Sequence, residues 1–126
     1  MTYLDRPVAY LQNDDFDSDG NLINPDIPDN IPVVIMLQAN FCGHCTKAKG
    51  DFQEFANNNK GKIFCATIQG DGNEKGESEL AKRLSSMYKG FVGYPTYVGY
   101  KNKKSKYKMH DGGRDSKSLQ SFSSSL

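Results

Sequence analysis

Ile31-Pro32-Val33-Val34-Ile35-Met36-Leu37, followed by Gln38-Ala39-Asn40-Phe41-Cys42-Gly43-His44-Cys45, is the stretch on which the fold turns. Residues 31–37 are apolar throughout and rich in β-branched side chains. A strand with one wet face alternates apolar and polar residues. An unbroken apolar run of this length instead reads as a strand covered on both faces, which implies a sheet with helices on either side. Past the cysteines, Ala48, Phe52, Phe55 and Ala56 recur at helical spacing, while Lys47, Lys49, Asp51 and Glu54 lie mostly off that stripe. A helix should therefore begin around Cys42 and end at Asn57-Asn58-Asn59-Lys60-Gly61.

The remaining chain alternates in the same way. Val8–Leu11 is a short candidate edge strand, and Asn13–Asn30 is crowded with Asp, Asn and Pro and reads as loop and turn. Ile63–Ile68 is a second buried strand. A polar loop over Gly70–Gly76 leads to a helix over Glu77–Tyr88, with Leu80, Leu84 and Met87 on one face. Thr96–Tyr100 and Lys106–His110 form a hairpin, and Asp115 can cap a final helix that turns Leu119 and Phe122 inward. The expected architecture is a single α/β domain over residues 1–126, with a mixed sheet of four to five strands and helices on both faces. Residues 1–30 are its irregular N-terminal segment, and residues 121–126 are expected to fray.

The 126 residues carry a net charge of +1, so composition makes no electrostatic case for nucleic acid or acidic membranes. The apolar run at 31–37 is far short of the ~20 residues a spanning helix needs, and Met1–Pro7 holds no apolar leader. The C-terminal residues are not a retention signal. These features lead to the expectation of a soluble, cytoplasmic protein. Its 3 cysteines cannot all pair within the chain, which is not the pattern of a disulfide scaffold.

Cys42 and Cys45 sit one helical turn apart, so they can close a small disulfide. Cys42, at the helix start, faces unpaired N–H groups and the positive end of the helix dipole, both of which favour its thiolate. Cys42 is therefore expected to attack a substrate disulfide and the more shielded Cys45 to resolve the mixed disulfide. His44 between them stabilises the reduced, thiolate form.

Cys42-Gly43-His44-Cys45 after a buried strand, preceded by the aromatic Phe41, together with Gly50 eight residues past the first cysteine and Gly93-Tyr94-Pro95-Thr96 before the last hairpin, resembles the thioredoxin superfamily. Within it the nearest likeness is to the catalytic domains of protein disulfide isomerases, as a divergent single-domain member. The likeness runs from about Ile31 to Phe122. It implies a thioredoxin fold and disulfide exchange with protein substrates, without a cofactor or metal. It implies a cis Pro95, with Gly93, Tyr94 and Pro95 meeting substrate. Gly43, His44, Phe41 and Met36 would then tune the dithiol. The chain departs from the family where Phe41 replaces the usual Trp, Gly50 the usual Pro, and Thr46 the usual Lys. Its largest departure is Met36, where the family keeps a buried acid that moves protons for the resolving thiol. Resolution should then be slow unless water or a more distant group serves, and an acid introduced at 36 should speed it. The implied partners are protein disulfides or dithiols and a separate reductant or oxidant, acting on a monomer.

Other readings stay open at this point. A glutathione-linked, glutaredoxin-like enzyme would use the same dithiol, and a thioredoxin-fold binding module would have lost turnover. A zinc site would have to recruit Cys65 and His110 with a badly aimed His44. Cys65 reads as a packed, inert thiol. Asp15–Asp26 matches the start of a calcium loop, but the turn reading, in which Asp and Asn bond nearby backbone, is preferred. The Lys101–Lys108 cluster reads as a solvated hairpin tip, and Tyr97, Tyr100 and Tyr107 as strand packing.

Overall fold

Every residue of β2 (Val33–Gln38) is buried, and its side chains divide alternately between two cores. Val33, Ile35 and Leu37 enter one core with Ala66, Ile68, Leu80, Leu84 and Val98. Val34 and Met36 enter the other with Ala48, Phe52, Phe55, Cys65, Tyr97 and Leu119. A period of two on a strand packed on both faces accounts for the unbroken apolar run.

The computed structural model describes residues 4–40, 43–72 and 76–126, with the backbone alone at 43 and 44. Among them, β1 (Ala9–Tyr10), β2, α1 (Gly43–Asn58), β3 (Phe64–Gln69), α2 (Glu77–Met87), β4 (Thr96–Tyr100), β5 (Tyr107–His110) and α3 (Ser116–Ser124) follow in order. The sheet runs β1-β3-β2-β4-β5, parallel across β1, β3 and β2 and antiparallel across β2, β4 and β5. It is the mixed sheet with helices on both faces that the sequence predicts. α1 and α3 supply one core, and α2 with the N-terminal loop supplies the other.

The N-terminal segment is more built than its composition suggests. Leu11, Phe16, Leu22 and Ile27 are buried in the core beneath α2, and residues Asn13–Asp15 form a single 3-10 turn. Its polar residues behave as the turn reading expects. Asp17 Oδ1 accepts the backbone N–H groups of Asp19 (3.0 Å) and Asn21 (2.8 Å), and Asn24 Nδ2 donates to Asp15 Oδ1 at 2.7 Å. At the hairpin tip Lys103 pairs with Asp29 at 3.2 Å, tying that tip to the N-terminal loop.

The C-terminus departs from expectation. Asp115 caps α3, accepting the Ser118 N–H at 2.7 Å, but the helix continues to Ser124 instead of fraying from 121. Phe122 and Ser123 are buried and Leu126 is packed against the core of α1. The serines suggest a loose tail only because their composition hides the one aromatic among them that has a pocket to fill.

Candidate active site

Three segments leave or enter the sheet at one end. β2 and β3 are parallel and finish in register at Gln38 and Gln69, so residues 39–40 and 70–72 depart together. β4 runs the other way and pairs Thr96 with Leu37, so Gly93, Tyr94 and Pro95 arrive at the same end. Open α/β sheets place their chemistry beyond the carboxyl ends of the parallel strands, and this is that end.

Cys45 is the third residue of α1 and is fully buried. Phe41 and Cys42 lie outside the described residues, as does the side chain of His44. Gly50 lies within α1, with open space where a Cβ would stand. The Tyr94–Pro95 peptide is cis, and Gly93 has a φ of 143°, a conformation that favours glycine. Thr96 Oγ1 donates to the Gly93 carbonyl, closing this turn. The Tyr94 phenol lies over Gly70, where a Cβ would come within 2.3 Å of its oxygen. Burial, and then the Asp71 carboxylate, push that phenol's pKa up. Phe91 packs edge-on to Tyr94 at 5.5 Å, and Val92 beside them is 96% exposed.

Met36 is fully buried among apolar neighbours, as its place in the middle of β2 requires. Cys65 shares that core and is the free thiol among the described cysteines. Burial pushes it up to about 12, which keeps it an unreactive thiol at neutral pH. His110 Nε2–H donates to the Gly113 carbonyl oxygen at 2.7 Å, and its ring packs on Phe122 at 4.6 Å. Tyr97 and Tyr100 are buried in the strand cores, and Tyr100 shares a 2.8 Å hydrogen bond with Tyr88.

The residue that sequence reasoning placed wrongly is Lys49. Assigned to the polar side of α1, it is instead only 2% exposed. Its Nζ donates to Asn40 Oδ1 at 2.9 Å, and the Asn40 backbone N–H donates to Asp71 Oδ2 at 2.9 Å. Gln69 Nε2 donates to Asp71 Oδ1 at 2.7 Å, and Gln38 Nε2 donates to both Gln69 Oε1 (3.1 Å) and Thr67 Oγ1 (3.2 Å). The signal was available: Lys49 is four residues past Cys45, hence on its face of the helix. A lysine stem can lie along apolar surface while its ammonium reaches a polar group.

The thioredoxin family model matches residues 7–125, so the chain belongs to the thioredoxin family, whose members are thiol–disulfide oxidoreductases in kind. It is 48% identical over 113 residues to protein 453L of Invertebrate iridescent virus 6, thioredoxin-like by name, with 81% of each chain covered. It is 27% identical over 89 residues to protein disulfide-isomerase like 2-2 of Arabidopsis thaliana, a match spanning 71% of this chain and 18% of the plant protein. The first thioredoxin domain of mouse protein disulfide-isomerase A4 has the same fold, with a TM-score of 0.67 at 22% identity over 98% of this chain and 77% of that one. Among the described residues no helix is long and apolar enough to cross a membrane.

Proposed function

We propose that this chain exchanges disulfides with protein substrates through Cys42 and Cys45. The observation that carries the reading is the convergence, at one end of the sheet, of the first turn of α1 bearing the buried Cys45 with the cis Tyr94–Pro95 turn. Cys42 directly precedes the first residue of α1 in sequence, where a thiolate is favoured by helix N–H groups and dipole. The Cys42 thiolate attacks one sulfur of a substrate disulfide. That S–S bond breaks, a mixed disulfide forms, and the other substrate sulfur leaves as a thiolate that takes up a proton. The Cys45 thiolate then attacks the Cys42 sulfur, releasing the second substrate thiol and closing the Cys42–Cys45 disulfide. Two electrons pass to the substrate, and an external dithiol restores the reduced protein; the reverse sequence oxidises a substrate dithiol. Gly93, Tyr94 and Pro95, with exposed Val92 alongside, offer the surface on which a substrate segment lies.

The test is trapping. Cys45→Ser should accumulate a mixed disulfide with a protein disulfide substrate, and Cys42→Ser should abolish exchange. Trapping by Cys42→Ser instead reverses the two roles. The apolar burial of Met36 favours a second reading, a binding module with little turnover, for which neither variant would alter substrate reduction because the parent protein shows none.

A further inference from the structure

At the centre of the sheet Met36 and Thr67 stand opposite each other in register, both fully buried, and neither ionises. A buried cation stands elsewhere. Lys49 lies one turn after Cys45 on the same buried face of α1, where side chains four apart stand about 5–6 Å apart at Cβ. Long helical side chains lean toward the N-terminus, and Lys49 does so far enough to bond Asn40, which precedes the helix altogether. Its stem therefore runs back along the turn that carries Cys45. Asp71 binds the other side of Asn40, through the backbone N–H.

We propose that Lys49 and Asp71, bridged by Asn40, are the charge pair that sets the ionisation of Cys45, in place of an ionisable group on the sheet. This rests on the disulfide-exchange reading above. Lys49 and Asp71 act through Cys45 as positioning residues and do not touch substrate. The ammonium stabilises the thiolate that forms as Cys45 releases its proton to water, and Asp71 tempers that field. Burying an ammonium is costly unless it is paired, which gives Lys49 its own need for Asn40 and Asp71. Burial lowers its pKa and the Asp71 charge opposes that, so the two groups already sense each other.

Among the described residues, other ionisable groups stand around this face. Tyr94 before β4, Tyr97 on β4 and Cys65 on β3 are all held protonated by burial. Asp51 on α1 and Arg114 before α3 act on Tyr97. Glu77 at the start of α2 lies over Gly72, where a Cβ would come within 2.3 Å of its Oε1. His44, next to Cys45 in sequence, is common to every variant compared below.

The experiment follows the Cys45 13Cβ shift through a pH titration of the reduced 126-residue chain. Lys49→Met, which keeps the stem and removes the charge, should raise the Cys45 midpoint by about one unit, tenfold in the ionisation constant. Lys49→Arg should restore it. Asp71→Asn should lower the midpoint, and because Asp71 is exposed this variant reports even if Lys49→Met does not fold. A general loosening of the site would move both midpoints the same way; opposite signs require a charge pair. Midpoints that stay within about 0.3 units of the parent, or move together, overturn the proposal. Trapping by Cys45→Ser is scored separately. Trapping with unmoved midpoints removes the charge pair and leaves the exchange reading intact, while opposed midpoints without trapping uphold the pair and remove the exchange reading.

Discussion

Thr67 donates its hydroxyl to the Met36 carbonyl oxygen at 2.7 Å, across the parallel pair in which the two residues stand opposite one another. The same hydroxyl accepts from Gln38 Nε2 at 3.2 Å, so one small neutral side chain joins two strands at their buried centre. Thr67→Val keeps the shape and removes both bonds. Gln38 Nε2 retains Gln69 Oε1, which holds the cost near that of one ordinary hydrogen bond. The expected loss is about 1 kcal/mol in urea unfolding, with an unchanged m-value.

Met36→Glu places a carboxyl in a fully buried site whose core neighbours are apolar and whose cross-strand partner is the neutral Thr67. Desolvation will raise its pKa above the ordinary ~4.3. A group whose folded pKa is raised contributes stability below the unfolded value and loses it as pH rises through the folded one. The variant's deficit against the parent should therefore be smallest near pH ~4 and reach about 2 kcal/mol or more at neutrality, read from denaturant melts at the two pH values. The family likeness alone expects such an acid to speed resolution of the mixed disulfide. With Lys49 and Asp71 already serving Cys45, stopped-flow resolution at neutral pH should stay close to the parental rate, and a marked acceleration would count against that assignment.

Gly99 on β4 is a close-approach glycine: a Cβ there would stand 2.7 Å from the Phe122 ring and 2.8 Å from a Leu126 methyl. The C-terminal residues thus close over the strand. Removing residues 122–126 should cost about 3 kcal/mol or more, the usual loss for emptying a buried aromatic site, and Gly99→Ala about 1–3 kcal/mol by overpacking. Thermal melts of both variants check this. A truncated chain that melts with the parent would mean the tail contributes nothing.

The fold was legible where one physical signal dominated. The run at 31–37 could only be a two-sided strand, and Asp115 before a helical stripe could be read as a cap. β5 begins one residue later than expected, at Tyr107, and β1 shrinks to Ala9–Tyr10. Such ends depend on pairing partners that no local pattern reveals. The N-terminal apolar residues were diluted among Asp and Asn, so their burial under α2 left no period to detect. At the site, the two close cysteines were singled out by their spacing, and Pro95 by the family resemblance. Lys49 was not, because composition counts a lysine as solvent-facing, and only the positions of Asn40 and Asp71 in space make its burial affordable.

Cys65 gives the protein a measurable alkaline weakness. It lies on β3 opposite Val34, is 1% exposed, and burial raises its thiol from an ordinary 9.0 to about 12. Between those values the unfolded chain has lost this proton and the native chain has kept it. The native state therefore binds more protons, and stability falls as pH rises from about 9 toward 12; below 9 the contribution is fully present. Tyr100 adds to the same limb from 10.0 upward, since burial raises its phenol to about 12. Subtraction isolates the thiol. Cys65→Ala should cost about 1–2 kcal/mol at pH ~7 through the small cavity it leaves. At pH ~10 the parent has lost about 1 kcal/mol that the variant never had, so the deficit should shrink by that amount. Urea unfolding of both proteins at the two pH values, under one redox condition so that Cys42 and Cys45 cancel, measures the difference. Exchange by Cys65→Ala should stay within about tenfold of the parent, as expected of a thiol too basic to react at neutral pH. A deficit of equal size at both pH values would show that Cys65 ionises in the native state as freely as in the unfolded one, and that its place in the core does not protect it.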